Sequence, residues 1–225
     1  MKDWAALEEA AGALRRLNRA VASRDVPDEA LRQVARVVGE LAAELDARPL
    51  RDKGQDMATF VDLAAAMAGR PLPVAIGDAV EFDPFSAGAG RLHPAAVGLD
   101  VRREGKTAIV ASVRVDRMFQ GPPGRVHGGI LAVLLDELMG TVIRMIGRRA
   151  YTARLTVDFR APAPIDAELT FRAWLEDQQA RKITMRADGR AGMDVFVEAE
   201  ALFVVARPDA VDGAPPSLDA HVGGE

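Results

Sequence analysis

The sequence predicts an α+β domain in which an antiparallel sheet wraps one long helix, preceded by a helical extension. The longest apolar helix of the chain follows a Pro/Gly turn in the stretch 121–140, GPPGRVHGGILAVLLDELMG. From residue 97 onwards, apolar and polar residues alternate in runs that are joined mostly by short turns, and short turns connect antiparallel strands. Before residue 70, apolar residues instead recur at helical spacing.

The predicted helical extension covers residues 1–70. Steps of three and four between apolar residues predict helices over 4–22 and 27–46, and a weaker third helix from Met57 to Ala68. Residues 71–96 are rich in Gly and Pro and are interpreted as a linker or arm. Because this part carries no chemical motif, we expect it to serve packing or oligomer contacts.

The domain predicted over 97–206 has two strands before the long helix and four after it. In the strand that starts at Tyr151, strict alternation puts Thr152 on the polar face, opposite the apolar set. The segments EDQQARK at 176–182 and DGRAG at 188–192 are predicted to be turns. Residues 207–225 are predicted to form a disordered tail.

Composition excludes several classes of function. The 225 residues carry a net charge of −4, which gives no electrostatic footprint for nucleic acid. The absence of cysteine excludes disulfides, thiolate metal sites and a cysteine nucleophile. We find no signal peptide and no apolar run of the ~18 residues that a membrane span needs, so we expect a cytoplasmic protein without membrane contact.

The start of the long helix and one carboxylate within it are the candidate chemical groups. Gly128 and Gly129 would leave backbone N–H groups free at the positive end of the helix dipole, a site suited to negative charge. Asp136 lies among apolar or small helix neighbours, where a carboxylate is costly unless it is hydrogen-bonded or used. Glu137, by contrast, begins a stripe that we interpret as the solvated side, comprising Thr141, Arg144 and Arg148.

The spacing of these groups suggests a dimer. Seven residues separate Gly129 from Asp136, about 10.5 Å along a helix, so one reacting carbonyl cannot touch both ends. An antiparallel second helix would bring its own Asp136 opposite Gly128 of the first chain, which forms two identical sites across a two-fold axis.

The stretch GPPGRVHGGILAVLLDELMG resembles the motif of hotdog-fold acyl-CoA thioesterases, in particular the PaaI-like branch of the 4-hydroxybenzoyl-CoA thioesterase superfamily. That branch has an HGG followed by an acidic residue nine positions after the histidine, here His127 and Asp136. The similarity continues through TARLTVDFRAPAP at 152–164 and covers roughly 97–206. It implies a single hotdog domain that hydrolyses an acyl-CoA thioester as a homodimer or a dimer of dimers, with no metal or redox cofactor.

The resemblance also implies a role for each matching residue. Asp136 would be the general base or nucleophile, and the backbone N–H of Gly128 or Gly129 would hold the oxyanion. His127 would orient the turn or polarise the carbonyl, with plain capping as its alternative. Thr152 would bind the attacking water or the carboxylate, unless it is a surface threonine. Four basic residues are candidates for contacts with coenzyme A phosphates: Arg148, Arg149, Arg181 and Lys182.

The sequence leaves open the effect of Gly121 and the choice between hydrolysis and ligand binding. Relatives often carry Asn six residues before the histidine, where this chain has Gly121, and its loss puts the choice between water and carboxylate attack in doubt. A non-catalytic acyl-CoA or hydrophobic-ligand binding module is the alternative function, and a hotdog hydratase is disfavoured because the histidines lack the spacing it needs.

Neither His93 nor His221 is a strong site candidate. Four apolar residues are candidates for the pocket lining: Met118, Phe119, Met139 and Ile143.

Overall fold

A computed structural model describes residues 3–81 and 83–206. The predicted disordered tail, 207–225, and with it His221, lie outside the described residues. The helices are α1 (Trp4–Ser23), α2 (Asp28–Asp46), α3 (Lys53–Met57), α4 (Val61–Met67) and α5 (Gly128–Met145), with a 3₁₀ turn at Arg117–Phe119. The strands are β1 (Asp100–Arg103), β2 (Ala108–Arg114), β3 (Ala150–Phe159), β4 (Glu168–Gln179), β5 (Lys182–Ala191) and β6 (Asp194–Val205).

The six strands form one antiparallel sheet in the order β1-β2-β4-β5-β6-β3, which packs around α5. The centre of α5 is fully buried, with Leu134, Leu135 and Leu138 at 0% exposure. Each such leucine contributes about 1.5–3 kcal/mol by leaving water. The predicted α+β arrangement of one long helix against an antiparallel sheet is confirmed. The sheet curves around α5 and so buries it.

Two predicted turns were wrong in extent. Strand β4 runs on to Gln179, so only Ala180 and Arg181 turn the chain before β5. Strand β5 likewise continues to Ala191, and the turn lies at Gly192, which has a φ of 62°. Gly189 is glycine for packing rather than turning, because an added Cβ would lie 2.8 Å from the side chain of Phe171.

The N-terminal extension is helical as predicted, but the third helix is broken. Instead of one helix from Met57 to Ala68, two short helices flank a turn at residues 58–60. This break places Phe60 in an aromatic cluster with Trp4 and Phe85, with ring centroids 5.4–5.9 Å apart. The cluster ties α1 and the turn between α3 and α4 to the chain just ahead of the sheet.

Among the described residues of the stretch 69–96 there is no helix or strand, yet several of them pack into the core. Leu72, Val80 and Ala89 belong to the same hydrophobic cluster as α5. The backbone N–H of Leu72 donates to the carbonyl of Met145 at the end of α5. The part from Asp83 to Gly88, called the strap below, crosses the middle of α5. Among the residues that the structure describes, no helix is long and apolar enough to cross a bilayer.

Candidate active site

A cleft of about 750 Å³ runs along the second half of α5. Its lining comes from α5, from the start of β3, and from the strap together with α3 and α4. Both Asp136 and Glu137 line this cleft. Sequence reasoning placed the first of these carboxylates in a site and the second in solvent, so the surroundings of each decide what it can do.

Asp136 is half-buried and accepts a hydrogen bond from the hydroxyl of Thr152, with 2.8 Å between Thr152 Oγ1 and Asp136 Oδ1. This contact depends on a β-bulge in β3. Thr152 pairs with Phe203, but the register shifts before Arg154, so Ala153 is an extra residue and Leu155 pairs with Ala201. A bulge of one residue reverses the alternation of side chains. Thr152 therefore shares the helix-facing side with Leu155, and the expectation from strict alternation was wrong.

The start of α5 uses one of its two candidate backbone donors in its own cap. His127 is the N-cap residue, and its Nδ1 accepts a hydrogen bond from the backbone N–H of Gly129 at 3.0 Å. Within the described residues no partner is found for the backbone N–H of Gly128, which lies beside the ring of Phe159. Of the two candidate oxyanion donors, the structure thus leaves Gly128 available and engages Gly129 in the cap.

Glu137 does not lie on a solvated face, and that prediction was wrong. Its carboxylate accepts one hydrogen bond from Ser86 Oγ at 2.5 Å and another from the Gly88 backbone N–H at 2.8 Å. An added Cβ on Gly88 would lie 2.7 Å from Glu137 Oε2, so the strap fits directly against this carboxylate. Two donors therefore hold Glu137 against the strap.

Thr141 and Arg144, the next two residues of the predicted solvated stripe, are also covered. Thr141 is fully buried, and its hydroxyl accepts a hydrogen bond from Arg144 Nη2 at 2.7 Å. Burial lowers the pKa of Arg144 below its ordinary value, and the nearby carboxylates of Asp83 and Glu137 oppose that shift. Only Arg148, at the end of the stripe, is exposed as predicted. Residues 83–88 contact Glu137 and bring the Asp83 carboxylate near Arg144, and their irregular sequence gave no signal of such packing.

The four basic candidates fall into two groups. Arg148 and Arg149 are exposed and line the cleft that contains Asp136. Arg181 and Lys182 lie at the β4–β5 turn and do not line it, and the guanidinium of Arg181 donates to the carbonyl of Val205. The structure thus brings two of the four cations to the candidate site.

The remaining sequence candidates are dispersed. Gly121 packs against His127, and an added Cβ would lie 3.0 Å from the His127 Cα, so a side chain at 121 would need a different local backbone. Ile143 lines the cleft, Met139 is fully buried, and Met118 instead lines a groove between α1 and α2. His93 caps its own turn by accepting from the Ala95 N–H. Across residues 3–81 and 83–206, no three His, Asp or Glu side chains are grouped as a metal site would require.

Comparison with known proteins agrees with the geometry. Residues 123–197 match the family model described as Thioesterase superfamily. In the crystal structure of protein RHA08564, a thioesterase superfamily protein, the matched chain is 26% identical with a TM-score of 0.70, over 88% of this chain and 90% of that one. This overlap exceeds what residues 97–206 alone could supply, so the similarity extends into the N-terminal part. The hotdog fold predicted from the sequence is confirmed.

Curated relatives point the same way over a shorter stretch. Acyl-coenzyme A thioesterase THEM4 of Xenopus laevis is 32% identical over 88 residues, which is 38% of this chain and 40% of the relative. Acyl-coenzyme A thioesterase THEM5 of Homo sapiens is 28% identical over 88 residues, 38% of this chain and 36% of the relative. The chain therefore spans about two fifths of the length of the curated relatives that it matches.

Proposed function

Because the chain carries a hotdog domain of the thioesterase superfamily, we propose that it hydrolyses acyl-CoA thioesters to a free acid and coenzyme A. The observation that carries this proposal is the pairing of Asp136 with Thr152 in a cleft beside the second half of α5. A carboxylate held by a hydroxyl donor can take a proton from water or attack a carbonyl directly.

In the proposed reaction Asp136 supplies the base or nucleophile and a helix N-terminus supplies the oxyanion site. As a base, Asp136 takes a proton from water, the water oxygen bonds to the acyl carbon, the C–S bond breaks, and this proton passes to the leaving thiolate of coenzyme A. As a nucleophile, Asp136 forms a mixed anhydride while the thiolate leaves, and water then hydrolyses the anhydride, which releases the free acid, restores the carboxylate and supplies the proton. The Gly128 N–H points away from the helix and is the donor that we assign to the tetrahedral oxygen. His127 serves as the cap that holds this turn in place, since its Nδ1 is engaged by the Gly129 N–H.

The two groups lie at different points along α5, so we propose that each site combines two subunits of a homodimer. Eight residues separate Gly128 from Asp136, about 12 Å along the helix. Strand β3 is at the edge of the sheet and exposes Tyr151 and Phe159 at 53% and 56%. An edge strand with exposed aromatic rings favours pairing with another strand. Pairing of β3 with its symmetry mate would also cover Phe159, the neighbour of Gly128.

Recognition of coenzyme A is assigned to Arg148 and Arg149, because both are exposed cations of the cleft. Arg181 and Lys182 lie outside the cleft and have a weaker claim within one subunit. The chemistry of carboxylate, hydroxyl and backbone donors needs no metal or redox cofactor, and we propose none. The homodimer, any further pairing into a tetramer and a cytoplasmic location remain proposals.

The test compares the wild type with Asp136→Asn on a panel of acyl-CoAs, with released coenzyme A measured by a thiol reagent. Since the chain has no cysteine, every thiol detected comes from the substrate. We expect the substitution to lower kcat by about 10²–10⁴-fold, the usual contribution of a general base. Asp194→Asn, at the exposed start of β6 and outside both the cleft and β3, is the matched control and should retain full activity. Coenzyme A binding without thiol release from any chain would instead identify a non-catalytic binding module.

A further inference from the structure

We propose that the N-terminal extension is the wall of the acyl-binding cleft and sets the length of acyl chain that the site accepts. This inference rests on the proposed function, because it assigns the substrate of the same cleft. It gives α3 and α4 a role in selectivity, in a part of the chain that carries no chemical motif in the sequence and was expected to serve packing or oligomer contacts.

The N-terminal extension contributes many of the residues that line the cleft. Besides Asp136 and Thr152, the cleft is lined by residues between 53 and 68 of the N-terminal extension, well before the hotdog domain at 97–206. Those from α3, α4 and the residue after it are mainly apolar: Met57, Ala64, Ala66, Met67 and Ala68. Each methylene group of an acyl chain that is buried against this wall would raise the affinity about fourfold, which corresponds to a transfer free energy of about 0.8 kcal/mol.

The wall is fastened to the helix that carries Asp136. Glu137, the next residue, holds the strap through Ser86 Oγ and the Gly88 N–H. Lys53 of α3 forms an ion pair with Asp83 of the strap at 2.9 Å between Nζ and Oδ2. The strap thus connects α3 to the helix next to Asp136. Glu137 is a positioning residue in this scheme, since it acts on the wall and not on the thioester.

The cleft lining combines exposed cations with mostly apolar residues from α3 and α4. Its exposed cations, Arg148 and Arg149, suit the anionic phosphates of coenzyme A, whereas the α3–α4 side is mostly apolar. Placing the thioester at Asp136 leaves the apolar wall for the acyl group. The side chain of Ala64 is small and half-buried in that wall, so a larger residue there would occupy space that the acyl chain needs.

The experiment measures kcat/KM for saturated acyl-CoAs of two to sixteen carbons with the wild type and three variants. Ala64→Leu adds three carbon atoms to the wall, and exclusion of about two methylene groups should lower the ratio of long-chain to short-chain kcat/KM by about tenfold. Met57→Ala removes bulk from the same wall and should shift the optimum to longer chains. Ala58→Leu is the control: it lies between α3 and α4, is exposed and does not line the cleft, so the ratio should not change.

Opposite shifts of the chain-length optimum in Ala64→Leu and Met57→Ala support the wall. An unchanged profile in both folded variants, or the same shift in Ala58→Leu, overturns it. Weaker inhibition by coenzyme A alone in Ala64→Leu also overturns it, because the wall would then hold the pantetheine. If the wild type releases no thiol, the hydrolytic function fails, and calorimetric titration with the same acyl-CoAs then tests the wall. A shift of the preferred chain length to shorter acyl groups in Ala64→Leu supports the wall. The same binding preference in wild type and Ala64→Leu refutes the wall as well.

Discussion

A complementation experiment can decide whether each site combines groups from two subunits. The two variants are Asp136→Asn, which removes the base, and Gly128→Pro, which removes the N–H assigned to the oxyanion. Proline is well suited to residue 128, because this is the first position of α5, where proline is favoured. The preceding residue, His127, has the extended backbone that a following proline requires, with φ −65° and ψ 132°.

The expected magnitudes follow from the site. Loss of one oxyanion donor costs about 10²–10³ in rate, so each variant alone should retain about 1% or less of the wild-type activity. In a dimer that contains one chain of each variant, one site combines an intact Asp136 with an intact Gly128, and the other site has neither. The mixed dimer should therefore recover about half of the wild-type activity.

The assay uses co-expression of the two variants with different affinity tags, purification of the mixed dimer through both tags, and thiol release from an acyl-CoA. Gly128→Ala is the matched control. It adds a Cβ at the same place, 3.2 Å from the exposed ring of Phe159, but it keeps the N–H and should lose far less activity. A mixed dimer no more active than its parents, or a fully active monomer in gel filtration, would refute a shared site.

Two further predictions concern β3 and β5. Thr152→Val should lower kcat about 10-fold to 100-fold, since a hydrogen bond to a charged group is worth about 1.5–3 kcal/mol. Thr184→Val, on the opposite face of the sheet in β5 and away from the proposed interface, should have no effect in the same thiol-release assay. Gly189→Ala should lower the free energy of unfolding by about 1–3 kcal/mol in urea denaturation, because the added Cβ overpacks against Phe171; equal stability of Gly189→Ala and Gly105→Ala, where the added Cβ has room, would contradict this account.

The fold was predictable because its elements have strong periodicity. The apolar run of α5 and the alternation in the strands predict one long helix against an antiparallel sheet, and the structure has these elements in that order. The errors lie where tertiary packing overrides local signals. Polar residues after Leu175 suggest a turn, yet β4 continues because β5 pairs with it as far as Gln179. A glycine at 189 suggests a turn, yet it is needed beneath Phe171.

The candidate site was predictable only in part. The apolar neighbours of Asp136 and the Gly-Gly helix start both give a local signal in the sequence. The side of the strand on which Thr152 lies gives none, because it depends on a single extra residue, Ala153, whose bulge appears only in the pairing with β6. A strand read with a strict period of two cannot show where a bulge falls.

Asp136 and Glu137 illustrate how neighbouring carboxylates on one helix take different roles. Successive helix residues are about 100° apart around the axis, so the two side chains meet different parts of the chain. Glu137 has two donors from the strap, whereas Asp136 has a single hydroxyl donor from Thr152 and faces the open cleft. The strap therefore fixes the Glu137 carboxylate in place, whereas the Asp136 carboxylate is left available for chemistry. No local pattern around residue 137 reveals this, because its partners lie about fifty residues earlier in a segment without helix or strand.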